Sequence, residues 1–317
     1  MYDAVAIGEV LIDFAAQSSD AMGYPVMAAH PGGAPCNFLA TLSRFGMKTA
    51  FIGKVGKDDF GRMLRETLDS CGIDTRGLIS DPDVFTTLAF VTFDSSRDRS
   101  FSFARKPGAD TCLRPDELDT DVIDRARMLH FGTLSLTDEP SRSATVAAVD
   151  YAIRRGKLIS FDPNMREPLW PSPELAKEQI LWGLGKADVV KISEEEADFL
   201  FGCGYEKSAG IILGDYGVKL VLLTRGAEGC YVKNRRASCL LPARRVTAVD
   251  TTGAGDVFGG SAAYCLLKSG KDPAELDGPE LRALAEFASA AAGLSVQRHG
   301  GISGIPGLDE VLAALNG

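Results

Sequence analysis

Histidine is scarce in this 317-residue chain: there are three, His30, His130 and His299, far apart in sequence. That spacing argues against a histidine-ligated metal centre. The seven cysteines, Cys36, Cys71, Cys112, Cys203, Cys230, Cys239 and Cys265, are odd in number and never spaced C-x-x-C. Neither a disulfide framework nor a zinc site is suggested, and free thiols fit a reducing compartment. No apolar run reaches the length of a membrane span, and no basic n-region or cleavage pattern accompanies the opening run Ala4-Val5-Ala6-Ile7-Gly8. A cytoplasmic location is the expectation. Net charge is −9, from 34 basic and 43 acidic residues, without any basic run. Nucleic acid and an anionic membrane are therefore not expected as partners. A small anionic substrate stays open, because a local pair of arginines suffices to hold one. Internal repeats, low-complexity stretches and long linkers are missing. So is G-x-x-x-x-G-K-S/T, which excludes a P-loop enzyme, and the turn at Gly8 lacks the G-x-G-x-x-G spacing of a dinucleotide fold.

What is present is an ordinary globular composition, 45% apolar and 24% charged. Short apolar or β-branched runs predict strands at 4–8, 49–55, 128–132, 157–162, 188–192 and 219–224. Helical patterns lie between them at 35–45, 59–70, 139–154, 173–184, 194–201 and 208–216, then at 255–269, 279–296 and 308–315. This alternation predicts an α/β fold, a doubly wound, mostly parallel sheet covered on both faces. Residues 11–30 and 84–105 break it. In the second, Thr86–Phe93 and Ser100–Ala104 flank a polar turn and read as a hairpin. Phe101 and Phe103 share one strand face, with Phe90 as an expected opposing residue; such a stripe serves either as core or as the wall of a ligand or partner site.

The stretch Asp250-Thr251-Thr252-Gly253-Ala254-Gly255-Asp256-Val257 carries the most chemistry. Its glycines permit a tight turn and close approach of a ligand. The helix that follows offers outward N–H groups at the positive end of its dipole, which suits an anion. Asp256 among those amides would repel a bound phosphate, so anion binding alone does not account for it. A base that takes a hydroxyl proton while the amides hold an arriving phosphoryl group does.

Other candidates surround it. Asp13, beyond the first strand, is placed to accept hydrogen bonds from ligand hydroxyls, or it is a solvated loop acid. Gly32 and Gly33 permit close backbone approach, and Asn37, one turn into the next helix, offers both donor and acceptor. Arg105, closing the hairpin, and Arg166, in the Asp162-Pro163-Asn164-Met165-Arg166 strand end, suit sugar oxygens or a phosphate. Ser193 reads as an N-cap and Glu196 as its capping-box partner; Glu196 is also a candidate for ordering a magnesium-bound water. Thr224-Arg225-Gly226-Ala227-Glu228-Gly229 is a tight turn suited to a nucleotide's ribose or phosphates.

Together these motifs resemble the ribokinase-like, or PfkB, family of carbohydrate kinases. Gly32-Gly33-Ala34-Pro35-Cys36-Asn37 through Gly53-Lys54-Val55-Gly56-Lys57-Asp58-Asp59-Phe60-Gly61 is similar to its N-terminal signature, and Asp250–Asp256 to its C-terminal one. Within the family the likeness is closest to fructokinases, through Arg105-Lys106-Pro107-Gly108-Ala109-Asp110, 162–170 and 187–196. Ser193 departs from the asparagine many members carry there. The resemblance implies a core of residues 1–10, 32–83 and 106–317 with a β-lid of residues 11–31 and 84–105. It implies an ATP-dependent kinase of fructose, with ribose or 2-keto-3-deoxygluconate as alternative sugars and a non-catalytic sugar-binding paralogue as the alternative class. Asp256 would be the base, with Gly253, Ala254 and Gly255 as the anion hole. Asp13, Gly32, Gly33, Asn37, Phe101, Phe103, Arg105 and Arg166 would meet the sugar. Asn164, Ser193, Glu196, Thr224, Gly226, Gly229 and Ala288 would meet ATP and its Mg2+. Asp250, Thr252, Ser295 and Gly300 match the region of a monovalent-cation site such as K+, the last two mainly through backbone carbonyls. A homodimer through the lid is compatible with this reading.

Overall fold

The alternation of apolar runs becomes thirteen strands and eleven helices among the described residues of the computed structural model, 1–93 and 99–316; for 92–93 and 99–101 only the strand path is described. In chain order the strands are β1 (Tyr2–Ile7), β2 (Leu11–Ser19), β3 (Pro25–Gly32), β4 (Thr49–Gly56), β5 (Ile73–Asp81), β6 (Leu88–Phe93), β7 (Arg99–Ala104), β8 (Ala126–Gly132), β9 (Leu158–Asp162), β10 (Val189–Ser193), β11 (Leu220–Thr224), β12 (Cys230–Lys233) and β13 (Ser238–Leu241). The helices are α1 (Ala34–Arg44), α2 (Asp59–Ser70), α3 (Thr120–Asp124), α4 (Ser141–Arg154), α5 (Pro173–Leu184), α6 (Glu194–Phe201), α7 (Tyr205–Asp215), α8 (Ala254–Ser269), α9 (Gly278–Ser295), α10 (Gly301–Gly304) and α11 (Leu308–Asn316).

Nine strands form the main sheet in the order β13-β12-β11-β10-β9-β8-β1-β4-β5, parallel from β11 to β5. Its strands are apolar on both faces because both faces are covered. Val5, Ile7, Phe131, Phe161, Ile192 and Leu223 pack against α4 to α7, whereas Ala4, Ala6, Phe51 and Met128 face α1, α2, α8 and α9. From β1 the chain moves outward to β4 and β5, then returns to β8 on β1's other side. A ligand crevice forms at the carboxyl ends of the strands where the order reverses in this way.

β3-β2-β6-β7 form a separate four-stranded sheet. Asp13 is paired with His30 and with Ala89, and Ala89 with Phe103, so Asp13, His30 and Phe103 share one face. On the other, Phe14 stacks on Phe90 at 5.4 Å and meets Phe60 of α2 edge-on at 5.6 Å. Phe90 therefore does not oppose Phe101 and Phe103. It is paired with Ser102, and Phe101 with Val91, a one-residue difference that reverses the face.

Helix α7 starts at Tyr205 rather than at 208. The predicted strands do not include β12 (Cys230–Lys233), nor do they include β5 and β13. The latter two are edge strands with a solvated side, and β5 pairs with β4 through an irregular register at Ala50/Ile52. Edge strands carry polar residues that blur an apolar run.

Candidate active site

A cavity of about 870 Å³ opens at the carboxyl ends of β1 and β9 to β11, roofed by the small sheet. Gly253 caps α8 in the left-handed region at φ 77°, a conformation natural only to glycine. A Cβ there would lie 3.1 Å from the Cα of Gly301 and 3.3 Å from Nδ2 of Asn37. The turn thus brings three segments together: the head of α8, the second turn-forming glycine pair at 300–301, and α1. Asp256 follows in the first turn of α8, where the Gly255 and Asp256 N–H groups have no helical carbonyl one turn earlier. Its carboxylate is buried, and Nδ2 of Asn37 donates to Oδ2 at 2.8 Å. Burial pushes the Asp256 carboxyl up; the Asn37 bond, the Lys191 ammonium and the Arg166 guanidinium pull it back.

The small sheet contributes Asp13, His30, Val91 and Phe103 to the cavity. Burial pushes the Asp13 carboxyl up to about 6 against the pull of Arg166, with Asp256 and Asp250 adding to the rise. The opposite wall carries Asn164, Arg166, Ser193, Thr224 and Gly226. Asn164 is the one non-glycine residue with positive φ, 42°, among the described residues. Its N–H donates to Oδ1 of Asp162 at 3.1 Å in an Asx turn headed by Asp162, and asparagine is among the few side chains that adopt this region readily. Asp250, Thr252 and Gly300 line the floor with Gly33, Asn37, Gly253 and Gly255. Asp250 joins two loops, Oδ1 accepting from Thr252 N–H and Oδ2 from Gly300 N–H, each at 2.9 Å.

Several predicted contacts fall elsewhere. Arg105 does not line the cavity. Its side chain is 2% exposed, and it donates through Nε to Asp110 Oδ2, through Nη1 to Thr137 Oγ1 and through Nη2 to the carbonyl of Leu134, all at 2.8 Å. It ties the end of β7 to the loop after β8. Glu196 is likewise withdrawn: Oε1 accepts from Met165 N–H at 2.8 Å and Oε2 from Ser193 N–H at 2.9 Å, completing the capping box. Glu195 lines the cavity in its place. Ala288 is wholly buried in the core between α9 and β12. Gly229 turns the chain at φ 107° against the β13 end, where any side chain would overlap Leu241 and Pro242. Ser295 does not line the cavity: its hydroxyl donates to the carbonyl of Ala292 at 2.8 Å, and its own carbonyl, the group expected to meet a cation, accepts from Arg298 N–H at 3.0 Å. Gly32 lies outside the cavity wall, and a side chain there would overlap the Asp13 carboxylate. Ala254 N–H donates back to Thr251 at 3.3 Å and belongs to the turn itself. The Phe101 side chain lies outside the described residues.

Sequence reasoning missed Lys191, His30, His299 and Glu9, all on the cavity wall. Lys191 had a legible signal: it is the one charged residue in the otherwise apolar strand β10, Val189–Ser193. Its Nζ reaches the Asp162 carboxylate at 3.1 Å. Burial pushes the Asp162 carboxyl up, and the Lys191 ammonium pulls it back. Glu9 is fully buried, accepts from Ala34 N–H at 3.0 Å, and is pushed up to about 7 by burial.

Comparison with known proteins gives a consistent picture. The model of the pfkB family carbohydrate kinases matches residues 1–308. The chain is 42% identical to "Probable fructokinase-4" of Arabidopsis thaliana, over 99% of this chain and 96% of that one. It superposes on a fructokinase from Xylella fastidiosa, solved with bound ATP, with a TM-score of 0.92 and 31% identity, covering 100% of this chain and 99% of that one. A fructokinase double mutant from Vibrio cholerae O395, in a form with fructose, ADP and potassium ion bound, gives a TM-score of 0.87 and 31% identity, over 99% and 98% of the two chains.

Proposed function

The chain belongs to the pfkB family of carbohydrate kinases, and we propose that it transfers the γ-phosphoryl group of ATP to a hydroxymethyl group of fructose. One observation carries this reading. A buried carboxylate, Asp256, stands at the head of α8 beside a left-handed glycine turn, in a cavity shared by hydroxyl acceptors and the loops at Thr224 and Asp250.

Asp13 accepts hydrogen bonds from sugar hydroxyls, and Arg166 supplies the cation between Asp13 and Asp256. The Asp256 carboxylate takes the proton of the reacting hydroxyl as its oxygen bonds to the γ-phosphorus. The bond from that phosphorus to the bridging oxygen breaks, and ADP leaves with the electron pair. The first-turn amides of α8 face the charge on the transferred group, so positioning and electrostatics do the catalysis. The small sheet acts as a lid that excludes water from this chemistry.

Among the described residues no group of three or more His, Cys, Asp or Glu side chains could hold a metal ion by itself. Glu195 and Ser193 would be the oxygen donors near a Mg2+ carried on the phosphates, where the ion would neutralise phosphate charge. Asp250, Thr252 and Gly300 offer an oxygen-only set compatible with K+. Among the described residues no helix is long and apolar enough to cross a membrane; cytoplasmic work fits the seven free thiols. The exposed Met22 and Tyr24 in the β2–β3 turn and Val26 of β3 support pairing of two copies through the small sheet.

A coupled ADP-release assay with fructose, ribose, 2-keto-3-deoxygluconate and adenosine tests the substrate. The highest kcat/KM is expected for fructose. A much higher value for another sugar removes fructose and leaves the kinase.

A further inference from the structure

The cavity is rich in carboxylates: Glu9, Asp13, Glu195, Asp250 and Asp256 line it, against two Lys or Arg side chains, Arg166 and Lys191. Such a cleft repels the anionic group it has to receive. The placement of Lys191 answers this. Its stem runs beneath α8 past Gly259, and the lack of a side chain at Gly255 leaves the space for its end. A Cβ on Gly259 would touch the stem at 3.9 Å, and one on Gly255 would lie 2.8 Å from Nζ. Nζ is thereby held under the first turn of α8, and Asp162 fixes it through both oxygens, at 3.1 and 3.3 Å.

We propose that Lys191 is a positioning residue of the transfer reaction, holding a fixed positive charge beneath the Gly253–Asp256 turn so that Asp256 and the arriving phosphoryl group share one site. The inference rests on the kinase reading above. The ammonium acts through the turn and through Asp256, and Asp162 anchors it. Around this centre stand Asp162 on β9, Glu196 on α6, Arg166 in the loop after β9, Asn37 on α1 and His130 on β8. His130 is buried, pushed down to about 3, and neutral, so it adds no charge. Stability alone does not account for the pair. A buried ion pair replaced by neutral groups of similar shape is often neutral or stabilising.

That contrast supplies the test. Lys191→Met, Asp162→Asn and the double variant are compared with the wild type for kcat, both KM values and melting temperature. The double variant leaves no uncompensated charge, and Asn keeps the acceptor for Asn164. The expected result is a double variant that melts close to wild type, keeps its KM values within about threefold, and loses kcat by about 10- to 100-fold, somewhat less than removal of a direct oxyanion donor. Lys191→Met should show at least the same loss. A double variant with near-wild-type kcat makes the pair purely structural and overturns the proposal. So does a double variant that fails to fold, because the pair then serves the fold. A wild type that releases no ADP with any sugar overturns the kinase reading itself. An active wild type with an equally active Lys191→Met overturns this inference alone.

Discussion

Asp256 is a buried carboxylate and Asp13 a half-buried one, and the site asks opposite things of them. Asp256 has to gain a proton during the reaction, and Asp13 has to stay an acceptor. Asp256→Asn keeps the shape and the contact with Asn37 but cannot take the proton. Its kcat should fall by at least about two orders of magnitude, with both KM values nearly unchanged in steady-state kinetics. Retained turnover at neutral pH would remove Asp256 from the role of base. For Asp13 the sign follows from burial. Its carboxyl is raised to about 6 from an ordinary 3.8. The folded state therefore binds the proton more tightly, and stability is lost as pH rises through about 6. Asp13→Asn should melt higher than wild type at pH 8, by at most about 3 kcal/mol for a rise of roughly two units, and match it below pH 4. The KM for fructose should climb in the wild type as pH falls through about 6, since a protonated Asp13 is a poorer acceptor. A flat KM between pH 5 and 8 would place Asp13 outside the sugar site.

At the scale of elements, the joints matter more than the elements. Arg105 ends β7 and is bonded to Asp110, which also accepts from the hydroxyl of Thr87 just before β6. The pair therefore joins both strands of the hairpin to the main body. Arg105→Ala leaves the Asp110 carboxylate buried without its cation. Removing one partner of a buried pair costs about 3–5 kcal/mol, so a large drop in denaturation midpoint is expected, with the KM for fructose little changed at a temperature where the variant is folded. An unchanged midpoint together with a raised KM would return Arg105 to the sugar. A glycine of α8 shows the same principle from the other side. Gly255 weakens the helix, and what it permits is the close approach of the Lys191 ammonium beneath it.

At the scale of the molecule, a sheet apolar on both faces carries its polar chemistry at one end, where the strand order reverses. No metal cluster of side chains holds that end together among the described residues. A chelator should therefore abolish phosphoryl transfer, by removing the metal that accompanies ATP, while leaving the melting temperature of the free protein unchanged. A chelator-induced drop of several degrees in differential scanning calorimetry would reveal a structural metal instead.

The legible part of this protein is whatever depends on local chemistry. Period and length of the apolar runs specify the parallel strands and most helices, because burial on both faces leaves no room for polar residues. The glycine turn at 253–255 and the capping box at Ser193 and Glu196 are readable, because turn and cap geometry are decided within a few residues. Edge strands β5 and β13 are not, since solvation makes their composition ambiguous. Register decided that Phe90 faces α2, away from Phe103. Long-range packing decided that Arg105 is spent on Asp110, that Ala288 lies in the core, and that Lys191 reaches the head of α8 from β10. A side chain's residue type states which bonds it can make. Which partner takes them depends on segments up to hundreds of residues away, and only the folded chain brings those within bonding distance.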